Sequence, residues 1–150
     1  MRPAAGLTLA IAVVLCGCQP KVEAPKSLFA GLGKKDLTVG TGPEAAEGDI
    51  VWLTYTGTLA KDGLQFDSND PKKGATNQNP LFFMVGPDSG MVEGMSKGVV
   101  GMKVGGTRKV EVPFTMGYGA NSSGKIPANA DLVFNVELLY VCLLYTSRCV

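Results

Sequence analysis

The stretch VWLTYTGTLAKDGLQFDSND, residues 51–70, decides how the chain is read. Its first part alternates. Val51, Leu53 and Tyr55 point one way and Trp52, Thr54 and Thr56 the other, the period of a half-buried strand. Lys61-Asp62-Gly63 is a turn signal, because glycine tolerates positive φ and aspartate hydrogen-bonds its own backbone. A second short strand then ends in Phe66-Asp67-Ser68. A buried-type aromatic hands the chain directly to an acid, and that junction asks for an explanation.

Outward from this hairpin the pattern is mostly short strands. Upstream, Leu37-Thr38-Val39 reads as one, followed by the turn-rich GTGPEAAEGD. Residues 28–35 are ambiguous between a tether and an added edge strand. Downstream, NPLFFMVG and TRKVEVP read as strands, and DLVFNVELLYV is the longest, with Leu132, Phe134, Val136 and Leu138 facing inward. Only GMVEGMSKGVVGM reads helical, with Met91/Val92, Met95 and Val99 recurring at spacings of three and four. Gly94 and Gly98 each lower helix propensity by about 1 kcal/mol relative to alanine, so this helix requires packing under a sheet. Gly40 to Ala45 fits G-x-G-x-x-A, but no helix follows, which argues against a dinucleotide site. Asn121-Ser122-Ser123 fits a glycosylation sequon and reads as a polar loop.

Both ends stand apart from this pattern. Arg2 precedes an apolar run from Leu7 to Leu15, the layout of a secretory signal, and the run is too short to span a bilayer. Leu15-Cys16-Gly17-Cys18 resembles the bacterial lipobox. Residues 1–17 are then a signal peptide, and Cys18 becomes an acylated N-terminus. Gln19 in place of aspartate favours the outer membrane, facing the periplasm, over inner-membrane retention. Residues 18–35 are the lipidated end and its tether, aperiodic and carrying lysine and proline. At the other end, CLLYTSRCV follows a strand that already looks finished. Its first six residues are what the mosaic end of sequencing-library transposon adapters encodes. Residues 142–150 are therefore read as a translated adapter scar, the alternative being a genuine apolar extension.

Between these ends, residues 36–141 form one domain with room for a core. The 4 cysteines, Cys16, Cys18, Cys142 and Cys149, all fall outside it, so no disulfide framework is expected there. Taking Arg2 and Arg148 from 14 basic residues leaves 12 against 13 acids, a net −1 with no basic run. Nucleic acid is not an expected partner. With 0 histidines, Ser-His-Asp and Cys-His nucleophilic sites and His-containing zinc sites are excluded.

The specific signal is an ordered series: YTGTLAKDGLQFDS, LFFMVG, MVEGMSKGVVGMKVGGTRKVEVP, YGA and IPANADLVFNVELL. Together these resemble the FKBP-type peptidyl-prolyl isomerases. The resemblance implies an α+β fold, a five- to six-stranded antiparallel sheet wrapped around one short helix. It implies that Tyr55, Phe66 and Asp67 line one side of a pocket for a proline ring, with Tyr55 bonded to the Asp67 carboxylate. Leu81 and Phe83 fall on a wall strand, Met91, Val92 and Met95 on the rim and floor, and Tyr118, Ile126 and Phe134 on the remaining positions. The Val92 N–H and the Tyr118 hydroxyl would serve the ligand's carbonyls. Tyr55, Asp67, Val92 and Tyr118 are thus the catalytic set. The implied partners are proline-containing unfolded or folding polypeptides, rapamycin-class macrolides, and a membrane through the lipid at Cys18.

These residue types suit the reaction. Rotation about an X–Pro bond faces a barrier of about 18–20 kcal/mol and takes tens to hundreds of seconds uncatalysed. No bond breaks, so neither nucleophile, metal nor cofactor is required. An apolar cage disfavours the planar, polar amide more than the twisted one, and a few fixed polar groups select the conformer. The chain departs from the family at Met95, where tryptophan or leucine is common, and at Leu81, where phenylalanine is. Residues 69–79 form a longer, more polar loop. Only seven residues separate Tyr118 from Ile126, so the chaperone insertion of some bacterial relatives is missing there. The softer walls also motivate an alternative, a non-catalytic binding or holdase module on the membrane.

Overall fold

The computed structural model describes residues 25–73, 75, 78–143 and 148–149. The signal peptide, Cys16, Cys18 and Gln19 lie outside the described residues. Strand β1 is Gly33–Thr38, β2 Ile50–Leu59, β3 Gln65–Ser68, β4 Leu81–Met84, β5 Thr107–Val112, β6 Leu132–Leu143 and β7 Arg148–Cys149, and the helix α1 is Glu93–Val99. The sheet is antiparallel in the order β1-β5-β6-β2-β3, with β4 also on β2 and β7 on the end of β6.

The alternation in β2 and β6 builds the core. Val51, Leu53, Val110, Val112, Leu132 and Leu138 are fully enclosed, and Met95 and Val99 of α1 pack onto them. In β6 the inward parity of Leu132, Phe134, Val136 and Leu138 is interrupted at Leu139. Leu53 pairs with Leu138 but Trp52 with Tyr140, so one extra residue is inserted. That bulge turns Tyr140 out beside Trp52 and sends Val141 inward.

The strands extend beyond their sequence signals at both ends of the domain. The first strand starts at Gly33, not Leu37, so of the tether and the added edge strand left open for residues 28–35, Gly33, Lys34 and Lys35 are edge strand. The chain before it is also held. Asp131, buried, accepts the Ser27 hydroxyl at 2.8 Å, the Phe114 N–H at 2.7 Å and the Leu28 N–H. The last strand does not stop at Val141. Cys142 continues β6 opposite Ile50 and is disulfide-bonded, and β7 folds back onto it. Thr54 and Thr56 are buried although they point away from the core, because the chain from Ser68 onward covers that face.

The helix is shorter than its pattern. Met91 and Val92 precede it, with Val92 extended at φ −58° and ψ 138°, and Val100 leaves it extended. Its glycines permit contact. A Cβ on Gly94 would lie 2.3 Å from a Val112 methyl, and one on Gly98 2.6 Å from a Val110 methyl. Helix propensity is given up so that α1 can approach β5. Gly98→Ala is therefore expected to lower stability by about 1–2 kcal/mol, overpacking outweighing the ~1 kcal/mol gain in propensity. Urea denaturation with Val110→Ala as second substitution measures it, and the pair should cost less than the sum of the singles. A stabilised Gly98→Ala chain would contradict the close packing.

Candidate functional site

The junction at Phe66-Asp67 is resolved by pairing. Thr56 faces Ser68 and Gly57 faces Asp67, but Thr58 faces Gln65, so Phe66 is an extra residue in β3. By plain alternation Phe66 and Asp67 would lie on opposite faces of the sheet. The bulge lets both reach the same cavity. Opposite Phe66 the middle strand carries Gly57, which also pairs with Phe134 across β6. With no side chain there, the two rings meet edge to face at 5.8 Å and 90°, and Tyr55 joins Phe134 at 6.1 Å and 63°.

These rings form one side of a cavity of about 150 Å³, lined by Tyr55, Phe66, Asp67, Leu81, Gly90, Met91, Val92, Met95, Tyr118 and Phe134. Met95 rises from α1 as its floor, almost fully buried, and Tyr118 stands exposed at the rim. The Tyr55 hydroxyl donates to Asp67 Oδ2, and Asp67 Oδ1 accepts the Ser68 N–H at 2.9 Å. Burial, reinforced by the bond to Asp67, the Asp67 charge and Tyr118, pushes the Tyr55 hydroxyl above its usual range. The hydroxyl is thereby kept as a protonated donor at neutral pH. The Val92 carbonyl accepts from the N–H groups of Met95 and Ser96, while its own N–H meets no acceptor among the described residues. The site offers an apolar cage, a fixed carboxylate–phenol pair and a free backbone donor. No serine, cysteine or lysine is among its lining residues.

Nine of the residues assigned from sequence therefore come together here. Phe83 and Ile126 do not line the cavity. Both are buried in the core, Phe83 opposite Val51 on β4 and Ile126 in a two-residue bridge with Ser123. Cys18 lies outside the described residues.

Three residues were missed. Gly57 was legible in principle, since a glycine inside a strand pattern signals a bulge or a close approach. Gly90 lines the rim at φ +70°. Asn69 had no signal. β3 and β4 occupy the same side of β2 and leave a gap between them, and the buried Asn69 side chain fills it. Its Oδ1 accepts the Tyr55 N–H at 2.6 Å, and its Nδ2 donates to the carbonyls of Leu53 at 3.2 Å and Asn79 at 3.1 Å. An amide side chain here replaces a strand, and it holds the backbone that carries Tyr55.

Comparison with known proteins agrees with this geometry. The family model described as FKBP-type peptidyl-prolyl cis-trans isomerase matches residues 42–139. An FK506-binding protein of Neisseria meningitidis serogroup B is 41% identical over 114 residues, covering 75% of this chain and 98% of that protein. FK506-binding protein 3 of Candida albicans is 37% identical over 123 residues, 82% of this chain but 27% of its own length. The crystal structure of FkpA from Escherichia coli superposes with a TM-score of 0.62 at 34% identity, covering 81% of this chain and 53% of that one. AtFKBP13 superposes at 0.61 with 30% identity, covering 72% and 90%. The chain belongs to the FKBP-type peptidyl-prolyl cis-trans isomerase family. It spans about a quarter of the length of the fungal relatives it matches.

Proposed function

We propose that the chain is a peptidyl-prolyl cis-trans isomerase that assists the folding of extracytoplasmic proteins. The observation that carries this reading is the aromatic cavity with the Tyr55–Asp67 pair at its edge. A cavity of about 150 Å³ walled by aromatic rings has room for a pyrrolidine ring. Phe66, Phe134, Leu81 and Met95 hold the ring and exclude water from the amide. The Val92 N–H and the Tyr118 hydroxyl bind the flanking carbonyls, while Asp67, oriented by Tyr55, faces the twisting bond. Rapamycin-class macrolides are expected to occupy the same cavity.

A protease-coupled assay on an Ala-Leu-Pro-Phe type peptide tests the reading. Acceleration is expected, falling about tenfold or more in Asp67→Val and less in Tyr118→Phe, the scale of one charge-assisted hydrogen bond. If micromolar wild-type chain leaves the rate at its uncatalysed value but suppresses aggregation of an unfolded client, the holdase alternative replaces it.

We further propose that Cys18 is acylated and that the domain is held at the outer membrane, facing the periplasm. The support is the Leu15-Cys16-Gly17-Cys18 pattern followed by Gln19. Ser27 and Leu28 are fastened to Asp131, so the tether ends before Ser27 and not at residue 35. Wild-type protein is expected to incorporate labelled palmitate and partition into detergent, and Cys18→Ser to lose both properties. An unlabelled wild-type protein free in the periplasm would refute the anchor and leave the isomerase reading intact.

A further inference from the structure

Met91 is a wall shared by two spaces. On one side is the small aromatic cavity. On the other a depression of about 420 Å³ runs between the chain after β4, the outer side of α1 and Glu47. The small cavity accommodates one ring, so the residues flanking a bound proline must lie outside it. Met91 lines both, so the larger depression adjoins the small cavity on that side.

That depression is built and held. Ser96 on α1 accepts the Gly86 N–H at 2.9 Å and donates to the Gly86 carbonyl at 2.9 Å, locking the loop after β4 to the helix. Its walls are apolar at Val85, Pro87, Met91 and Val100. Its charges do not cancel. Glu93 is matched by Lys97 at 2.6 Å, whereas exposed Glu47 has no ion-pair partner among the described residues. One carboxylate is left over at the edge of an apolar trough.

We propose that this depression is a second subsite for the substrate polypeptide, taking an apolar side chain close to the proline and a lysine or arginine beyond it at Glu47. The inference rests on the isomerase reading above and adds a sequence preference to it. The occupant is the chain whose proline fills the aromatic cavity, because Met91 lines both spaces and places them side by side.

The test uses the full chain and a set of peptides. A short Ala-Leu-Pro-Phe core is compared with versions lengthened by Leu-Lys or by Leu-Glu, on either side. Exchange NMR reads isomerisation and fluorescence anisotropy reads affinity. On the side that passes Met91, the Leu-Lys peptide is expected to bind about two- to fivefold tighter than the Leu-Glu peptide, the range of a partly exposed ion pair. Glu47→Lys should reverse that order while turnover of the short core is unchanged. If wild type accelerates the core but ranks the extended peptides equally, or if Glu47→Lys leaves the ranking intact, the subsite is refuted and the isomerase reading stands. If the ranking is found but no peptide is accelerated, the isomerase reading fails and the subsite survives as a binding site.

Discussion

Replacing Arg108 by methionine is expected to unfold the domain at markedly lower temperature, with a loss of about 3 kcal/mol or more, equivalent to roughly 12–20 °C for a domain of this size. The Arg108 side chain is 7% exposed and lies on β5 facing the end of α1. It donates to the carbonyls of Gly98 at 3.0 Å, Val100 at 2.9 Å and Gly101 at 3.2 Å, and to Asp36 on β1 through Nε at 2.6 Å and Nη2 at 3.2 Å. The last carbonyls of a helix have no intrahelical donors. Here a guanidinium supplies them, and Gly101 at φ +81° turns the chain away. Methionine keeps the apolar stem and removes every donor, so buried acceptors are stranded. Arg108→Lys should fall between, since an ammonium cannot span the same fork.

The same pair has a pH signature. The hydrogen bond from Arg108, opposed in part by desolvation, holds the Asp36 carboxyl below its usual range. A depressed carboxyl stabilises the fold fully above its unfolded pKa of about 3.9 and loses that contribution as pH falls through the folded value. Asp36 is 47% exposed, so solvent screens much of this. In Arg108→Met the acid limb of the stability curve should flatten below about pH 4. Thermal unfolding from pH 2 to 7 measures both effects, and a loss under 1 kcal/mol at neutral pH would show that the helix end does not depend on this residue.

The second large effect is expected at Gly57. A Cβ built there lies 2.5 Å from Phe66 Cζ, 2.7 Å from Phe66 Cε2 and 3.1 Å from Phe134 Cε1. Backbone pairing on both sides holds Gly57 in place, so the Phe66 ring is what must move. The direction open to it is the cavity. Gly57→Ala should therefore lower kcat/KM about tenfold or more while costing about 1–3 kcal/mol of stability, the usual range for overpacking. Adding Phe66→Leu gives the new methyl room and should restore part of both. Peptide kinetics with urea denaturation of the three variants decide it. Activity within twofold of wild type in Gly57→Ala would mean that the ring relaxes without closing the cavity.

Much of the site was legible because its residues sit on short periodic segments. Tyr55, Leu81, Phe134 and Met95 take their faces from local alternation or helical spacing, and nine of the assigned residues line one cavity. Phe83 and Ile126 fell on the right segments but lie behind the cavity wall. An apolar residue on a pocket strand and one in the core beneath it look alike in sequence, since both are selected for burial.

What the sequence by itself determined was the strands β1 to β6 in outline and the short helix, the chemistry excluded by the absence of histidine, and the family. Each depends on side-chain period or on residue identity, which the chain displays directly. The tertiary structure decided where that periodicity breaks. The extra residue Phe66 aims ring and carboxylate into one cavity, and the extra residue Leu139 turns Tyr140 outward. Asn69 stands in for a missing strand, Arg108 closes the helix, and Asp131 fastens the chain that would otherwise be tether. These features follow from register and hydrogen-bond partners brought together from distant parts of the chain. A one-residue shift in pairing reverses every face beyond it, and no local pattern records which strand will be opposite.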